Sequence, residues 1–413
     1  PGPDAQAGAG APIVVLGDDW GRHVSSMQHL FRHIARDRVV IWVNGIGHRV
    51  PRLTVEYLRR AAGKIRVLFQ GGKIGTAGQI EIGAEPTTIV HPMVIPWHHR
   101  RVARAFNRWS LTRAIRRALA QAGSAQRPIL VTGSPPSVSV FGQLNEIATV
   151  YYCMDDFLHL PEVSPEMLGP LEEELLMRVD AVVATARSLV ETKRPRSGRA
   201  YYLPQGVNFE HFAASRVPPT DIAALPRPLI GFAGGITTPV DLRLLKRLSE
   251  EFPEASVVLV GPVRLDPVEI RAPNVHILGP RPYRDLPAYV QSFDVGIIPY
   301  VLNPHTVAVD PLKLLEYLAA GVPVVTTDLP EVRKYRDAVA IAPDHDSFVR
   351  EVRRAWTVES ESRGAPQGVA REHGWDRRAT ALVGILSEIV QRTISIHGAG
   401  SDGGVHEPAS PHP

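Results

Sequence analysis

The sequence predicts an α/β chain of two Rossmann-like, doubly wound domains. At 413 residues it exceeds what a single core normally serves. Short apolar runs that end in glycine- or aspartate-bearing loops and lead into helical patterns recur along it, the first at Ile13–Leu16. After a proline-bearing stretch, Arg216–Thr220, the pattern starts again with an apolar strand at Pro228–Ile236.

Composition narrows the class. The chain is 44% hydrophobic and 21% charged, as a globular protein should be. One cysteine, Cys153, excludes an intramolecular disulfide framework and fits a reducing cytoplasm, and no Cys/His spacing suggests a metal site. No run approaches a membrane span, and Pro1–Gly10 lacks the basic-then-apolar order of a signal peptide, so it reads as a flexible leader. The net charge of +4 is uneven, with 25 basic and 17 acidic side chains in residues 1–205. Much of that excess lies in His98–Arg117, a helix in which Val102, Phe106 and Trp109 can share a face. Two readings stay open: peripheral contact with an acidic membrane surface or anionic acceptor, and a sheet-covering helix with a solvated arginine face. Nucleic acid is not expected, because no basic-aromatic strand pattern accompanies the charge.

In chain order, Ile13–Leu16 is a buried strand, Gly17–Ser26 its loop and Met27–Ala35 a helix. The loop is not a G-x-G-x-x-G fingerprint, which argues against a dehydrogenase. Val39–Val43 is a second strand, and its loop Asn44–Arg49 puts His48 and Arg49 where open α/β sheets bind ligands. Residues 64–96 are glycine-rich with apolar-polar alternation, predicting short strands or a hairpin. Ile129–Ser137 and Thr149–Phe157 are further strand-to-loop units, the second ending in Asp155 and Asp156, which either orient an acceptor or act as a base, or simply cap the next helix. Ala181–Thr185 and Ala200–Leu203 close the first sheet. The second domain carries strands at Pro228–Ile236, Val257–Gly261 and Ala338–Ala342 and a helix from Asp344 to Trp356.

The densest signal is Val309–Thr327. Pro311 suits a first helical turn, Leu312, Leu315 and Leu318 fall on one face, Gly321 ends the helix, and Pro323–Thr327 reads as a buried parallel strand. Such a helix start presents unpaired N–H groups and a positive dipole end, which suit a phosphate, while Glu316, one helical step from Lys313, suits ribose hydroxyls. An ordinary sheet-packing helix with a solvated Lys–Glu pair is the competing reading.

Pro311-x-Lys313-x-x-Glu316-Tyr317-x-Ala319-x-Gly321-x-Pro323-Val324-Val325 resembles the donor-site signature of glycosyltransferase family 4, enzymes of the GT-B fold. Leu203–Phe212 is similar to that family's domain-joining segment, and Val275–Gly279, Tyr283–Pro287 and Phe293–Pro299 resemble the elements beside its nucleotide base. Thr149–Phe157 resembles a loop of cell-envelope glycosyltransferases related to teichuronic acid synthesis.

The resemblance implies a hexosyl-type glycosyltransferase that takes a nucleotide-diphosphate sugar (UDP or GDP) as co-substrate and retains anomeric configuration. It implies neither a tightly bound cofactor nor a metal. Its acceptor would be a cell-envelope lipid or glycan, or a small natural-product aglycone of the kind met in antibiotic biosynthesis.

Residue by residue, Gly21 lets donor and acceptor approach the first loop, where Asp18, Asp19, Trp20, Arg22 and His23 are candidate acceptor contacts, with His48 beside them; capping and turn chemistry is their other reading. Gly234 and Gly235 match the glycine turn beneath the diphosphate. The basic residues that many relatives carry beyond it are replaced by Thr237 and Thr238, so Lys313 and Arg264 are expected to meet the phosphate charge. Leu278, Arg281 and Tyr283 fall in the base-side segment. Ala308 stands where relatives have a sugar-binding glutamate, leaving Asn303, His305 and Asp310 for the sugar and Pro311, Leu312, Lys313 and Glu316 for the diphosphate and ribose. Gly133 and Ser134 occupy the place of a histidine common in the family, so Asp155, Asp156 and Lys313 are the catalytic candidates.

The expected layout is a leader at 1–10, an acceptor-binding domain at 11–205, a linker at 206–220, a donor-binding domain at 221–373, a helix crossing back to the first domain at 374–395 and a disordered tail at 396–413. A catalytically silent GT-B partner subunit and a GT-B sugar-nucleotide epimerase are the alternatives.

Overall fold

A computed structural model of the chain describes residues 10–22, 24–46, 84–160, 163–196, 198–357 and 365–399. The strands of the first domain are β1 (Ile13–Leu16), β2 (Val40–Val43), β3 (Thr88–Val90), β4 (Ile129–Thr132), β5 (Ala148–Cys153), β6 (Ala181–Ala184) and β7 (Arg199–Tyr202). Those of the second are β8 (Leu229–Ala233), β9 (Ser256–Val260), β10 (Val275–Gly279), β11 (Val295–Ile298), β12 (Val324–Thr327) and β13 (Ala340–Ala342). Among the described residues they form two sheets, ordered β3-β2-β1-β4-β5-β6-β7 and β10-β9-β8-β11-β12-β13. Pairing is parallel throughout, for example Ile13 with both Val40 and Ile129, and Gly296 with both Gly231 and Val324.

Strands buried on both faces explain the unbroken Val/Ile runs: every residue of β1, β2, β4, β8 and β9 is buried. Strand order reverses between β1 and β4 and between β8 and β11, so the loops leaving those strands diverge and open a crevice at the carboxyl edge of each sheet.

The helices that position the site are α1 (Ser26–Ile34), α2 (Arg101–Gln121), α3 (Pro165–Arg178), α4 (Arg187–Thr192), α5 (Leu242–Glu251), α6 (Pro304–Val307), α7 (Leu312–Ala319), α8 (His345–Trp356) and α9 (Trp375–Ala399). Their starts follow capping chemistry: Ser25, Asp241 and Asp344 each accept the backbone N–H three residues on, at 3.3, 3.0 and 2.7 Å.

Of the short strands or hairpin expected over 64–96, the described part, 84–96, holds a short strand, Thr88–Val90, which joins β2 as a parallel edge strand, while 64–83, like His48 and His23, lie outside the described residues. Other expectations are corrected. The stretch 206–220 is more than a linker: Val207, Phe209 and Phe212 are buried in the second domain's core. On α2 the buried face is Ala103, Asn107, Leu111, Ile115 and Ala118, leaving Val102 and Trp109 outside.

α9 crosses back as expected. Trp375, Leu382, Leu386 and Ile389 pack with Phe31, Trp42 and Val131 in the core on one face of the first sheet. The helix runs through Ala399, past the boundary expected at 395. The two passages of chain between the domains lie side by side: Val207 donates to the His373 carbonyl at 2.9 Å and accepts from Trp375 N–H at 3.2 Å. A Cβ on Gly206 would lie 2.8 Å from the Trp375 ring, which is why that position has none.

Candidate active site

The start of α7 meets the turn after β8. Pro311 occupies the N-cap and contributes no side-chain bond, so the first-turn N–H groups of Leu312 and Lys313 have no intrahelical acceptor and no side-chain cap. Lys313 reaches over the turn: its ammonium hydrogen-bonds the Tyr300 hydroxyl and lies 4.8 Å from the Tyr300 ring centroid and 5.2 Å from that of Phe232. A Cβ on Gly234 would sit 2.8 Å from Lys313 Cε, so the glycine keeps this passage open. Arg264 is brought alongside, its N–H donating to the Ile236 carbonyl just past Gly235. Among the described residues no group of three or more His, Cys, Asp or Glu is placed to hold a metal.

One turn into α7, burial pushes the Glu316 carboxyl up to about 7, with Lys313 drawing it partly back. Tyr283 is its neighbour: burial, then the Glu316 charge, raise the phenol well above its ordinary range. The Tyr283 ring is stacked on His211 at 4.7 Å, and Leu278 packs against the same core at the end of β10. Arg281 is committed elsewhere, to Asp221 at 2.7 Å and the Tyr289 hydroxyl at 2.7 Å.

The segment expected to meet the donor sugar bridges the domains. Asn303 caps the four-residue α6, accepting from Thr306 N–H at 2.9 Å. His305 is buried, and its Nδ1 has no hydrogen-bond partner. Ala308 is buried in the first domain's core, and Leu312 packs against the core on the other face of that sheet. Asp310 is turned to the domain junction, accepting from Gln205 N–H at 2.9 Å and from Lys334 at 2.9 Å. Lys334 also holds Glu331, which accepts from the Tyr202 hydroxyl at 2.7 Å and from Arg187 N–H at the start of α4.

Across from α6 lies the loop after β5. Burial raises the Asp155 carboxyl, the charge of His305 opposing. Burial also presses the Asp156 carboxyl upward, but bonds from Lys193 at 2.9 Å and His159 at 2.7 Å prevail and hold it below the usual range. Lys193 is itself buried and bridges to Glu172 on α3 at 2.7 Å, which accepts from the Tyr151 hydroxyl at 2.8 Å. Asp155 is thus the half-buried acid facing the second domain, and Asp156 the one that anchors the loop. Ser134, beside Gly133, donates to the Ile46 carbonyl at 3.0 Å.

The loop after β1 is built by its own contacts. Gly21, at φ 76°, donates to Gln28 Oε1 at 3.1 Å. Trp20 donates from its backbone to Asn44 and from its indole to Glu85, with Arg32 over its ring at 4.6 Å. Burial pushes Asp18 up to about 6, against bonds from Gln28 and Ser25. Asp19 pairs with Arg22 at 3.5 Å. Sequence reasoning missed Tyr300, Lys193, Glu331 and Lys334; Tyr300, directly after Pro299 at the end of a core strand, was the one with a positional cue.

Residues 227–357 match the Glycosyl transferases group 1 family. TuaH of Bacillus subtilis (strain 168), named as a teichuronic acid biosynthesis glycosyltransferase, is 32% identical over 187 residues, 42% of this chain. That match spans 47%, about half, of the relative's length. Among solved structures, Anabaena HepE in complex with UDP and glucose covers 91% of this chain and is matched over 100% of its own, with 12% identity and a TM-score of 0.61. An α,α-trehalose-phosphate synthase (UDP-forming) from Burkholderia xenovorans, in complex with glucose-6-phosphate, gives the same identity and TM-score over 91% of this chain and 100% of that one. Over the 91% of the chain that these structures cover it therefore has the GT-B fold, and within its second domain residues 227–357 match the Glycosyl transferases group 1 family.

Proposed function

We propose that the protein transfers a hexosyl-type residue from a nucleotide-diphosphate sugar to a cell-envelope or small-molecule acceptor, with retention at the anomeric carbon. The observation that carries the reading is the uncapped start of α7 meeting the Gly234 turn with Lys313 between them. UDP is the favoured nucleotide, since HepE was solved with it and the trehalose-phosphate synthase is described as UDP-forming. The same amides would serve GDP.

In the proposed step the bond from the anomeric carbon to the diphosphate oxygen breaks as the acceptor oxygen bonds to that carbon, and the acceptor's proton passes to the departing diphosphate. Negative charge grows on the leaving group, so the helix terminus and Lys313 stabilise the transition state more than the bound donor. The reading assigns this compensation to the chain's own groups rather than to a metal. Glu316 accepts the ribose hydroxyls, and Asp155 with His305 orients the acceptor at the junction of the domains. Buried Cys153 fits a reducing cytoplasm as the site of reaction.

Thermal unfolding with UDP, GDP, ADP and dTDP, followed by slow hydrolysis of a donor panel, tests the reading. Stabilisation by one nucleotide together with hydrolysis of its sugar is expected. No stabilisation by any of the four refutes it, and binding without hydrolysis or transfer points to a silent partner subunit.

A further inference from the structure

Four of the large apolar side chains exposed among the described residues crowd into residues 93–109: Met93, Trp97, Val102 and Trp109. Scattered exposed apolar residues are ordinary, but a contiguous cluster is not. Val102 and Trp109, 82% and 59% exposed, lie with half-buried Phe106 along the outer face of α2, and the Phe106 and Trp109 rings are 5.8 Å apart. Stepping on by helical spacing, the same face continues into Arg113 and Arg117. The opposite face is buried on β2 and β3.

The surroundings are basic. Between Glu85 and Glu146 the sequence has no Asp or Glu and eight arginines. Arg104 is tied to Glu174, and Arg116 and Arg127 to backbone carbonyls. Arg101, Arg108, Arg113 and Arg117 are exposed and form no ion pair among the described residues.

We propose that this face docks on an anionic lipid surface, with α2 lying along it. Val102, Phe106, Trp109 and Trp97 enter the boundary between headgroups and acyl chains, and the arginines pair with headgroup phosphates. Charge selects this occupant: a second copy would set arginine against arginine in a two-fold contact, whereas an anionic bilayer offers phosphate and hydrocarbon together. Tryptophan, apolar in body and polar at one edge, is suited to that boundary. The inference is independent of the donor site, which it does not touch.

Co-sedimentation of the full chain with phosphatidylcholine vesicles, with and without phosphatidylglycerol, tests it. Binding is expected only to the mixed vesicles, weakening as salt is raised, with a blue shift of tryptophan emission. Arg108→Gln and Arg113→Gln should each weaken it roughly fivefold. Val102→Ser with Trp109→Ser should weaken it at least tenfold while leaving the melting temperature and any nucleotide-induced stabilisation unchanged, because both side chains are outside the core. Equal binding to neutral vesicles, no binding to either, or binding that the serine variant leaves intact overturns the proposal. So does a wild-type oligomer, seen by light scattering, that the serine variant dissociates without any vesicle binding.

Discussion

Replacing Glu316 with Gln should stabilise the free protein and cripple nucleotide binding at once. An acid whose folded pKa is about 7 rather than 4.5 binds more protons in the native than in the unfolded state between those values. Stability therefore falls as pH rises from 4.5 to 7 and stays lowered above. The full effect is the 2.5-unit difference at about 1.36 kcal/mol per unit, roughly 3 kcal/mol. Partial solvent access discounts this to about 1–3 kcal/mol. Glutamine keeps the shape and never ionises, so at pH 8 Glu316→Gln should melt about 2–6 °C higher than the parent. At pH 5.5, one unit above the unfolded pKa, the gain should shrink to about two fifths. The amide accepts through one oxygen and carries no charge for the ribose hydroxyls, so the shift produced by UDP at pH 8 should shrink as the free protein's melting temperature rises. Differential scanning calorimetry at the two pH values, with and without UDP, reads all of this. A variant that melts lower at pH 8, or that keeps its full UDP shift, refutes the assignment of a buried, ribose-facing carboxylate.

Three further outcomes follow from the same geometry. Lys313→Met should lower transfer by roughly 10²–10³-fold with little loss of thermal stability, measured as donor hydrolysis or transfer, because it removes the cation aimed at the leaving group. Gly234→Ala should lower the melting temperature modestly, since the backbone there has φ 158° and the new methyl meets Lys313 Cε at 2.8 Å and the Phe232 ring at 3.3 Å, and should raise the UDP dissociation constant about tenfold or more in isothermal titration. Lys193→Met should cost about 3–5 kcal/mol in urea unfolding by removing the cation between Glu172 and Asp156, which keep only Tyr151 and His159 as partners, and adding Glu172→Gln should restore part of that loss.

How much of this was legible in the sequence differs between the two halves. The turn at Gly234–Gly235 and the start of α7 were readable because glycine, proline and helix spacing constrain backbone directly. The seat of Lys313 was not, since Tyr300 reaches it only through the packing of α7 over β8 and β11. Asp310 was read as a sugar contact because it sits two residues from the vacant glutamate position, but the end of the first domain at Gln205 comes within hydrogen-bond distance of it, and no local pattern announces that meeting. On α2 the periodicity of Val102, Phe106 and Trp109 identified a shared face without saying which way it points; the sheet took Leu111 and Ile115 instead. Asp155 and Asp156 are adjacent and chemically identical, and their roles are separated by tertiary placement, Lys193 and His159 beside Asp156 and His305 near Asp155.

The side-by-side passage of the chain at Val207 and Gly374 has a mechanical consequence. Two tethers placed far apart would clamp the halves, and one alone would let them drift. Two laid together and cross-linked by backbone bonds define an axle: sliding or pulling the halves apart tears the Val207–His373 and Trp375–Val207 bonds, whereas swinging about that line leaves both intact. Any opening needed to load a donor or discharge a product is thereby channelled into a single rotational degree of freedom, and the contacts of Glu331 with Tyr202 and Arg187, of Asp310 with Gln205, and of Ala308 and Leu312 with the first domain's cores are among those that bear on how far it turns.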